Sequence, residues 1–213
     1  MDLFKTYYEF LVEENKKYNL TSITAEREVY IKHFEDSLAV AKVIDFSSIE
    51  SMIDIGSGAG FPGIPLKMKY PSLKLTLVEP TTKKCVFLNQ LVLKCGLKDV
   101  IIVNDRAENL CQLREQFDIA SSRAVGSLSL LVELCIPLLK VGGHLIAMKG
   151  PDYQDDLKKA TNAFNKLYAS VEAIVPYELS EQMGTRTLIM IRKNAPTLIT
   201  YPRTFAVIKK KPL

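Results

Sequence analysis

The sequence predicts an α/β fold: a doubly wound, mostly parallel sheet with a helical N-terminal extension. Three observations carry that prediction. Short apolar runs alternate with amphipathic stretches of helical period from residue 51 to residue 149. The first run, Met52 to Ile55, empties into a glycine-packed turn, Gly56-Ser-Gly-Ala-Gly60, with Pro62 behind it at a helix start. The second run, 74–79, ends on a carboxylate, Glu79, 23 residues after Gly56. Turns of this kind lie at the carboxyl ends of strands, where open α/β sheets bind ligands.

Taken in order, the chain opens with an amphipathic helix over 2–17 that sets Phe4, Tyr7, Tyr8, Leu11 and Val12 on one face. Residues 18–24 break the pattern. Thr24, with Glu26 and Glu28 behind it, caps a second helix through Lys32 towards Val43, and the two helices cover the sheet. His33 and Asp36 share a face of that helix, equally open to a functional pairing or to capping and packing. Beyond the glycine turn come the strand 74–79, a helix over 82–95 stopped by Gly96, and a strand at 100–104. Arg106-Ala-Glu108 then opens a short helix, followed by a strand at 117–121, a helix over 128–140 and a strand at 144–148. A helix over 152–167 and strands near 171–175 and 187–191, the last pair antiparallel, close the sheet. Gly56, Glu79, Ala107, Arg123 and Lys149 all fall on the ligand edge. The whole is one domain, 1–213, divided into an extension, 1–45, and a Rossmann-like core, 46–213.

Composition narrows the function. A hydrophobic share of 47% over 213 residues supports a full core without staples. Four cysteines without a C-x-x-C pair, and only two histidines, suggest no metal cluster; apolar neighbours make the thiols reduced core residues of a cytoplasmic protein. The N-terminus carries Asp2, Lys5 and Glu9 and is no signal peptide, and no apolar run is long enough to span a membrane. Net charge is only +4, but it is segregated. From residue 184 onward there are seven basic side chains and no acidic one, against 21 basic and 24 acidic in the first 183 residues. Arg186, Arg203, Lys209, Lys210 and Lys211, with Lys149 on the ligand edge, therefore form the candidate nucleic-acid-binding set, and Tyr201 and Phe205 offer rings on which bases could stack.

The glycine turn decides the cofactor. Gly56, Gly58 and Gly60 allow backbone angles closed to other residues and remove side chains that would bar a flat ligand. A dinucleotide fingerprint needs a small sixth residue, and Phe61 stands there. The spelling G-x-G-x-G after an acidic strand instead resembles the first motif of class I S-adenosylmethionine methyltransferases, with Glu79 placed to accept the ribose hydroxyls. The resemblance widens along the chain. Asn19-Leu-Thr-Ser-Ile, His33-Phe-Glu-Asp-Ser-Leu38, Asp54-Ile-Gly-Ser-Gly-Ala-Gly-Phe-Pro-Gly-Ile-Pro-Leu66, Arg106-Ala-Glu108, Ser122-Arg-Ala124, Lys149-Gly150 and Tyr201-Pro-Arg203 together resemble the RsmG (glucose-inhibited division protein B) family.

That resemblance implies a cytoplasmic, monomeric enzyme without metal that uses S-adenosyl-L-methionine to methylate N7 of one guanine in the 530 loop of 16S ribosomal RNA. It also implies cofactor contacts at Gly56, Phe61, Ala107, Glu108 and Arg123. Arg123 has three possible partners: the cofactor carboxylate, an RNA phosphate, or Glu108 as an ion pair. Guanine N7 carries a lone pair and no proton, so no general base is expected and alignment is the enzyme's task. An Asn/Asp-Pro-Pro-aromatic motif for exocyclic amines and a Pro-Cys nucleophile for pyrimidine carbon are both missing. A class I methyltransferase acting on a small molecule is the alternative, separated from the RNA enzyme by the acid-free basic end.

Overall fold

The computed structural model describes residues 2–123 and 126–213; Met1, Ala124 and Val125 lie outside the described residues, and with Ala124 the end of the Ser122-Arg-Ala124 stretch. Helix α1 (Leu3–Tyr18) starts where the Asp2 carboxylate accepts the amides of Phe4 and Lys5 at 3.1 and 3.2 Å, and stops at Asn19 in the left-handed region. A short α2 (Glu26–Val29) follows, then a π-helical segment, Tyr30–Glu35, and α3 (Asp36–Leu38). The core runs β1 (Ser51–Ile55), α4 (Gly63–Lys69), β2 (Lys74–Val78), α5 (Thr82–Lys94), β3 (Val100–Val103), β4 (Phe117–Arg123) and α6 (Leu128–Cys135). It continues through β5 (Leu139–Lys149), α7 (Gln154–Lys159), α8 (Thr161–Lys166), β6 (Ala169–Glu178), β7 (Thr185–Lys193) and a C-terminal α9 (Phe205–Lys210).

The seven strands lie in the order β3-β2-β1-β4-β5-β7-β6, with β1 to β5 parallel and β7 antiparallel to both neighbours. Alternate residues of each central strand feed opposite layers. Met52 packs with Tyr7, Phe10, Ile64 and Phe87 from the helices α1, α4 and α5, whereas Ile53 and Ile55 pack with Leu128, Leu131 and Val132 of α6. Each layer is a continuous core, and the sheet switches direction between β1 and β4, which is where such folds bind ligands.

Three expected helices differ. The one drawn from Thr24 towards Val43 begins at Ala25, with no side-chain cap, and is widened by the π segment. Pro137 cannot continue an α-helix, so the helix expected over 128–140 ends at Cys135 with a tight turn behind it. The helix expected over 152–167 is broken in two at the fully buried Ala160. Among the cysteines, Cys111 is exposed and is not a core thiol; Cys85, Cys95 and Cys135 are buried.

Both ends of the chain are tied back onto the sheet. At the N-terminal end the Tyr7 ring, fully buried, stacks on Phe61 at 5.2 Å and its hydroxyl donates to the Ala59 carbonyl inside the glycine turn. Asp36 accepts from Arg123 at 3.0 Å and from the Tyr177 hydroxyl at 2.6 Å, joining the extension to β4 and β6. At the C-terminal end Arg114 donates to the carbonyls of Tyr201 and, at 2.8 Å, Thr197. Arg203 forks onto Glu133, a fully buried carboxylate of α6, at 2.7 Å to Oε1 and 2.6 Å to Oε2. Arg203, placed by charge in the candidate set, is thus engaged by a carboxylate of the core.

Removing one partner of such a pair leaves a buried charge without compensation. Arg203→Ala should lower stability in urea unfolding by about 3 kcal/mol, and the paired change Glu133→Leu with Arg203→Leu should recover part of that loss.

A second expectation follows from burial of charge. Desolvation, then the neighbouring Arg123 charge, pulls His33 from 6.5 down to about 4; desolvation pushes Asp54 from 3.8 up to about 6, against hydrogen bonds from Ser121 and the Gly63 amide. The two act on stability with opposite sign. Between pH 6.5 and 4 the unfolded chain protonates His33 and the folded one does not, so the His33 contribution is whole above pH 6.5 and is lost as pH falls. Asp54 contributes most below its unfolded value and loses that contribution as pH rises through 6. Comparison with His33→Gln cancels the Asp54 part. The stability difference should move against the wild type by about 3 kcal/mol between pH 7 and pH 4, and a constant difference would mean that His33 titrates normally.

Candidate functional site

The site is built on the turn after β1. Gly56, Gly58 and Gly60 have φ of 71°, 59° and 103°, all in the region that disfavours a side chain. The amides of Gly56 and Ser57 donate to the Val78 carbonyl at 2.9 and 3.1 Å, drawing the turn across the end of β2. Glu79, almost fully buried, accepts from the Gly58 amide at 3.0 Å with one oxygen and from the Thr81 amide at 2.9 Å with the other. On the other side Asp54 accepts from Ser121 Oγ at 2.8 Å and from the Gly63 amide at 3.2 Å.

The glycines do different work. A Cβ on Gly60 would stand 2.8 Å from the Ile64 side chain and 2.9 Å from the Tyr7 hydroxyl, so packing requires a small residue at Gly60. A Cβ on Gly58 would meet only the Gly56 carbonyl at 3.9 Å, and that face of the turn is open. Phe61 is buried among Tyr7, Phe34 and His33, and the Arg123 guanidinium lies 4.9 Å above its ring.

Two cavities lie at the carboxyl ends of the parallel strands. The first, about 190 Å³, lies over the ends of β1, β2 and β3, between Ile55, Gly56, Val78, Ala107, Glu108 and Leu134. Its apolar walls and the Glu108 carboxylate at its rim suit a flat heterocycle. Arg106 and Phe205 complete it from the outside, the guanidinium 4.9 Å from the ring centre. Phe205 therefore faces this cavity, and Tyr201 packs into the core beneath; neither is an exposed platform for stacked bases.

The second cavity, about 450 Å³, lies over the ends of β4 and β5 and is lined by Lys32, His33, Asp36, Arg123, Lys149 and Arg186. Four of those six carry fixed positive charge. Arg123 sits at its floor, donating to Asp36 and, at 3.1 Å, to the Lys32 carbonyl, with His33 Nδ1 at 3.2 Å; its ion-pair partner is Asp36, and the expected alternative, Glu108, is in the other cavity. His33 Nδ1 also lies 3.0 Å from the Lys32 carbonyl, and its Nε2 is 2.9 Å from Thr21 Oγ1. Lys149 is held by Asp156 at 2.8 Å and by the Gly126 carbonyl at 2.6 Å. Arg186 is one-third exposed, 4.0 Å from Asp36. Lys209, Lys210 and Lys211 are exposed on and just after α9. Lys32 and Arg106 were not singled out in the sequence. Their only signal was proximity to His33 and to Ala107.

The family model described as "GidB: rRNA small subunit methyltransferase G" matches residues 1–184. A "Ribosomal RNA small subunit methyltransferase G" of Staphylococcus epidermidis is 47% identical over 212 residues, 99% of this chain and 89% of its own length. The protein of the same name from Carboxydothermus hydrogenoformans is 43% identical over 216 residues, covering 100% of this chain and 92% of that one. Among solved structures, M. jannaschii TYW2 in complex with AdoMet superimposes with a TM-score of 0.59 at 16% identity, over 75% of this chain and 74% of the other. The mitomycin 7-O-methyltransferase MmcR gives 0.64 at 18%, over 87% and 60%. At such identities these structures speak for the fold, which is the class I methyltransferase sheet. With the family model matching residues 1–184 and relatives at 43% and 47% identity aligned over nearly all of it, the chain belongs to the rRNA small subunit methyltransferase G family.

Proposed function

We propose that the protein binds S-adenosyl-L-methionine in the cavity over β1 to β3 and methylates N7 of one guanine in the 530 loop of 16S ribosomal RNA, presented in the basic cavity over β4 and β5. The observation that carries this is an apolar cavity with a carboxylate in its lining at the glycine turn, together with a larger cationic one at the ends of β4 and β5.

The chain's residues fit the cofactor. The walls formed by Ile55, Val78 and Leu134 match a purine, and the Ala107–Glu108 turn presents a backbone edge and a carboxylate to its polar rim. Glu79 stands at the end of β2 with lone pairs beyond those taken by Gly58 and Thr81, placed for ribose hydroxyls. Gly58 offers backbone without a side chain at the turn. When bound, S-adenosylmethionine supplies a methyl group on a sulfonium sulfur, which the lone pair of guanine N7 takes up without loss of a proton. The protein therefore has no proton to move at the reacting atom. Its part is to orient and to exclude water, effects that reach several kcal/mol. His33 stays neutral at physiological pH and acts as a prop for Arg123 and Thr21. Arg186 and Lys149 face the phosphodiester backbone of the flipped nucleotide, with Lys209, Lys210 and Lys211 extending the cationic surface outward, as a polyanion requires. The relatives' name supports a small-subunit RNA as the substrate and, with it, a cytoplasmic site of action.

The decisive experiment is incubation of unmethylated 30S subunits with methyl-labelled cofactor, followed by cleavage at 7-methylguanine and mapping of the label. Label at a guanine N7 in the 530 loop is the expected result; label on an exocyclic amine, on another RNA, or on none overturns the proposal.

The basic end provides a second measurement. Replacing Lys209, Lys210 and Lys211 by Ser should raise KM for subunits and flatten the salt dependence by a slope of up to about 2, because each phosphate that a lysine neutralises on single-stranded RNA contributes about 0.7. Affinity for S-adenosylhomocysteine should not change. Superimposable rate curves at several salt concentrations would remove these lysines from the RNA surface.

A further inference from the structure

The C-terminal chain passes behind α6 and returns to the cofactor side of the sheet. Its path is fixed at several points: Arg114 holds the carbonyls of Thr197 and Tyr201, the Thr197 amide donates to Glu115 at 3.2 Å, Arg203 forks onto buried Glu133, and Ile208 is inserted into the core at 1% exposure. None of these restraints involves a ligand, yet together they leave Phe205 with one direction to face. Its ring closes the 190 Å³ cavity opposite Leu134, the residue that follows Glu133 in α6, and is overlaid by Arg106 at 4.9 Å. The strap also begins beyond residue 184, where the family model's match ends.

We infer that Phe205 is a positioning residue for the cofactor: its ring packs against the purine, and the strap 197–208 exists in its pinned form to hold that ring in place. Resting on the cofactor assignment above, the inference extends it to a part of the chain whose composition pointed to RNA. A ring so placed fits the ligand for a physical reason. A flat heterocycle between aliphatic walls gains from an aromatic ring with a cation beside it, and the carboxylate of Glu108 lies 3.9 Å from the Arg106 guanidinium that overlies this ring. The other side chains of the helix have different surroundings. Val207 is 45% exposed and Lys209 and Lys210 are in solvent, so the apolar contact with the cavity comes from Phe205 alone among the described residues of α9.

The test is calorimetric titration with S-adenosylhomocysteine and with 5′-methylthioadenosine, which keeps the purine and lacks the amino-acid end, on wild type, Phe205→Ala, Phe205→Leu and Val207→Ser. Melting curves accompany each protein. Phe205→Ala should bind both ligands about tenfold more weakly, within the range for losing one base–aromatic stack. Phe205→Leu, which keeps the apolar packing and loses the flat face, should lose affinity by a smaller factor, equally for both ligands, and Val207→Ser should match wild type. Wild-type affinity for either ligand in a folded Phe205→Leu protein overturns the inference while leaving the cofactor assignment standing. Loss confined to S-adenosylhomocysteine overturns it too, since the ring would then serve the amino-acid end. Failure of the wild type to bind S-adenosylhomocysteine at all overturns the cofactor assignment itself and the inference with it.

Discussion

Two buried carboxylates hold the turn on which the molecule depends. Asp54, at 0% exposure, takes the amide that starts α4, and Glu79, at 3%, takes the amide of Gly58. Between them a run of left-handed backbone crosses from β1 to α4, a path that would be strained and poorly hydrogen-bonded if left to itself. Both anions are desolvated, and each is tolerated because amide and hydroxyl donors converge on it. Desolvation nevertheless lifts Asp54 to about 6, so the hydrogen bonds do not fully offset the cost of burying this charge. Packing completes the restraint. The crowding at Gly60 shows that the Tyr7 ring and Ile64 press against the turn from below, leaving its upper face, at Gly58, open.

The two ends of the chain then divide the surface around the turn. The N-terminal extension supplies Lys32, His33 and Asp36 to the basic cavity, and the C-terminal strap supplies Phe205 to the apolar one. In each case an arginine of the core is the clasp: Arg123 on Asp36, Arg114 on the strap carbonyls. The clasps differ in kind. Arg123 belongs to the lining that it organises, so a change there alters both packing and charge in the cavity. Arg114 lies outside either cavity and acts through backbone geometry alone. The π-helical segment fits the same logic, because an inserted residue in a helix shifts the side chains that follow, and His33 and Lys32 fall inside the shifted turn.

Much of this was legible in the sequence because it rests on local rules. The glycine turn, the carboxylate ending β2 and the alternation of strand and helix are set by residues near one another in the chain, and the parallel order with an antiparallel last pair follows from them. His33 and Asp36 were readable as a pair but not by role, because the role comes from Arg123 and Tyr177, 87 and 141 residues from Asp36. Gly60 and Phe61 entered the candidate cofactor set by motif spelling, and spelling does not show that a neighbouring ring also packs on them. That ring is Tyr7, supplied by a distant helix.

Charge shows most plainly where sequence reasoning overreaches. Counting the basic residues after position 184 treats each as a cation facing solvent, yet Lys193 is fully buried on Glu115 at 2.8 Å and Arg203 lies on Glu133. Both acids come from the middle of the chain, in the half that looked acidic. The segregation along the sequence is therefore partly cancelled in space, by ion pairs that fasten the C-terminal residues to the core. What remains outward is narrower: Arg186 at the rim of the basic cavity, Arg192 on β7, and the exposed lysines on and just after α9. A cation buried against a carboxylate adds nothing to the field that a phosphate senses beyond a Debye length, about 8 Å at physiological salt. The polyanion surface is thus set by the cations whose partners the fold does not provide, because Lys193 and Arg203, which swell the count along the sequence, have been drawn inward to hold the end of the chain.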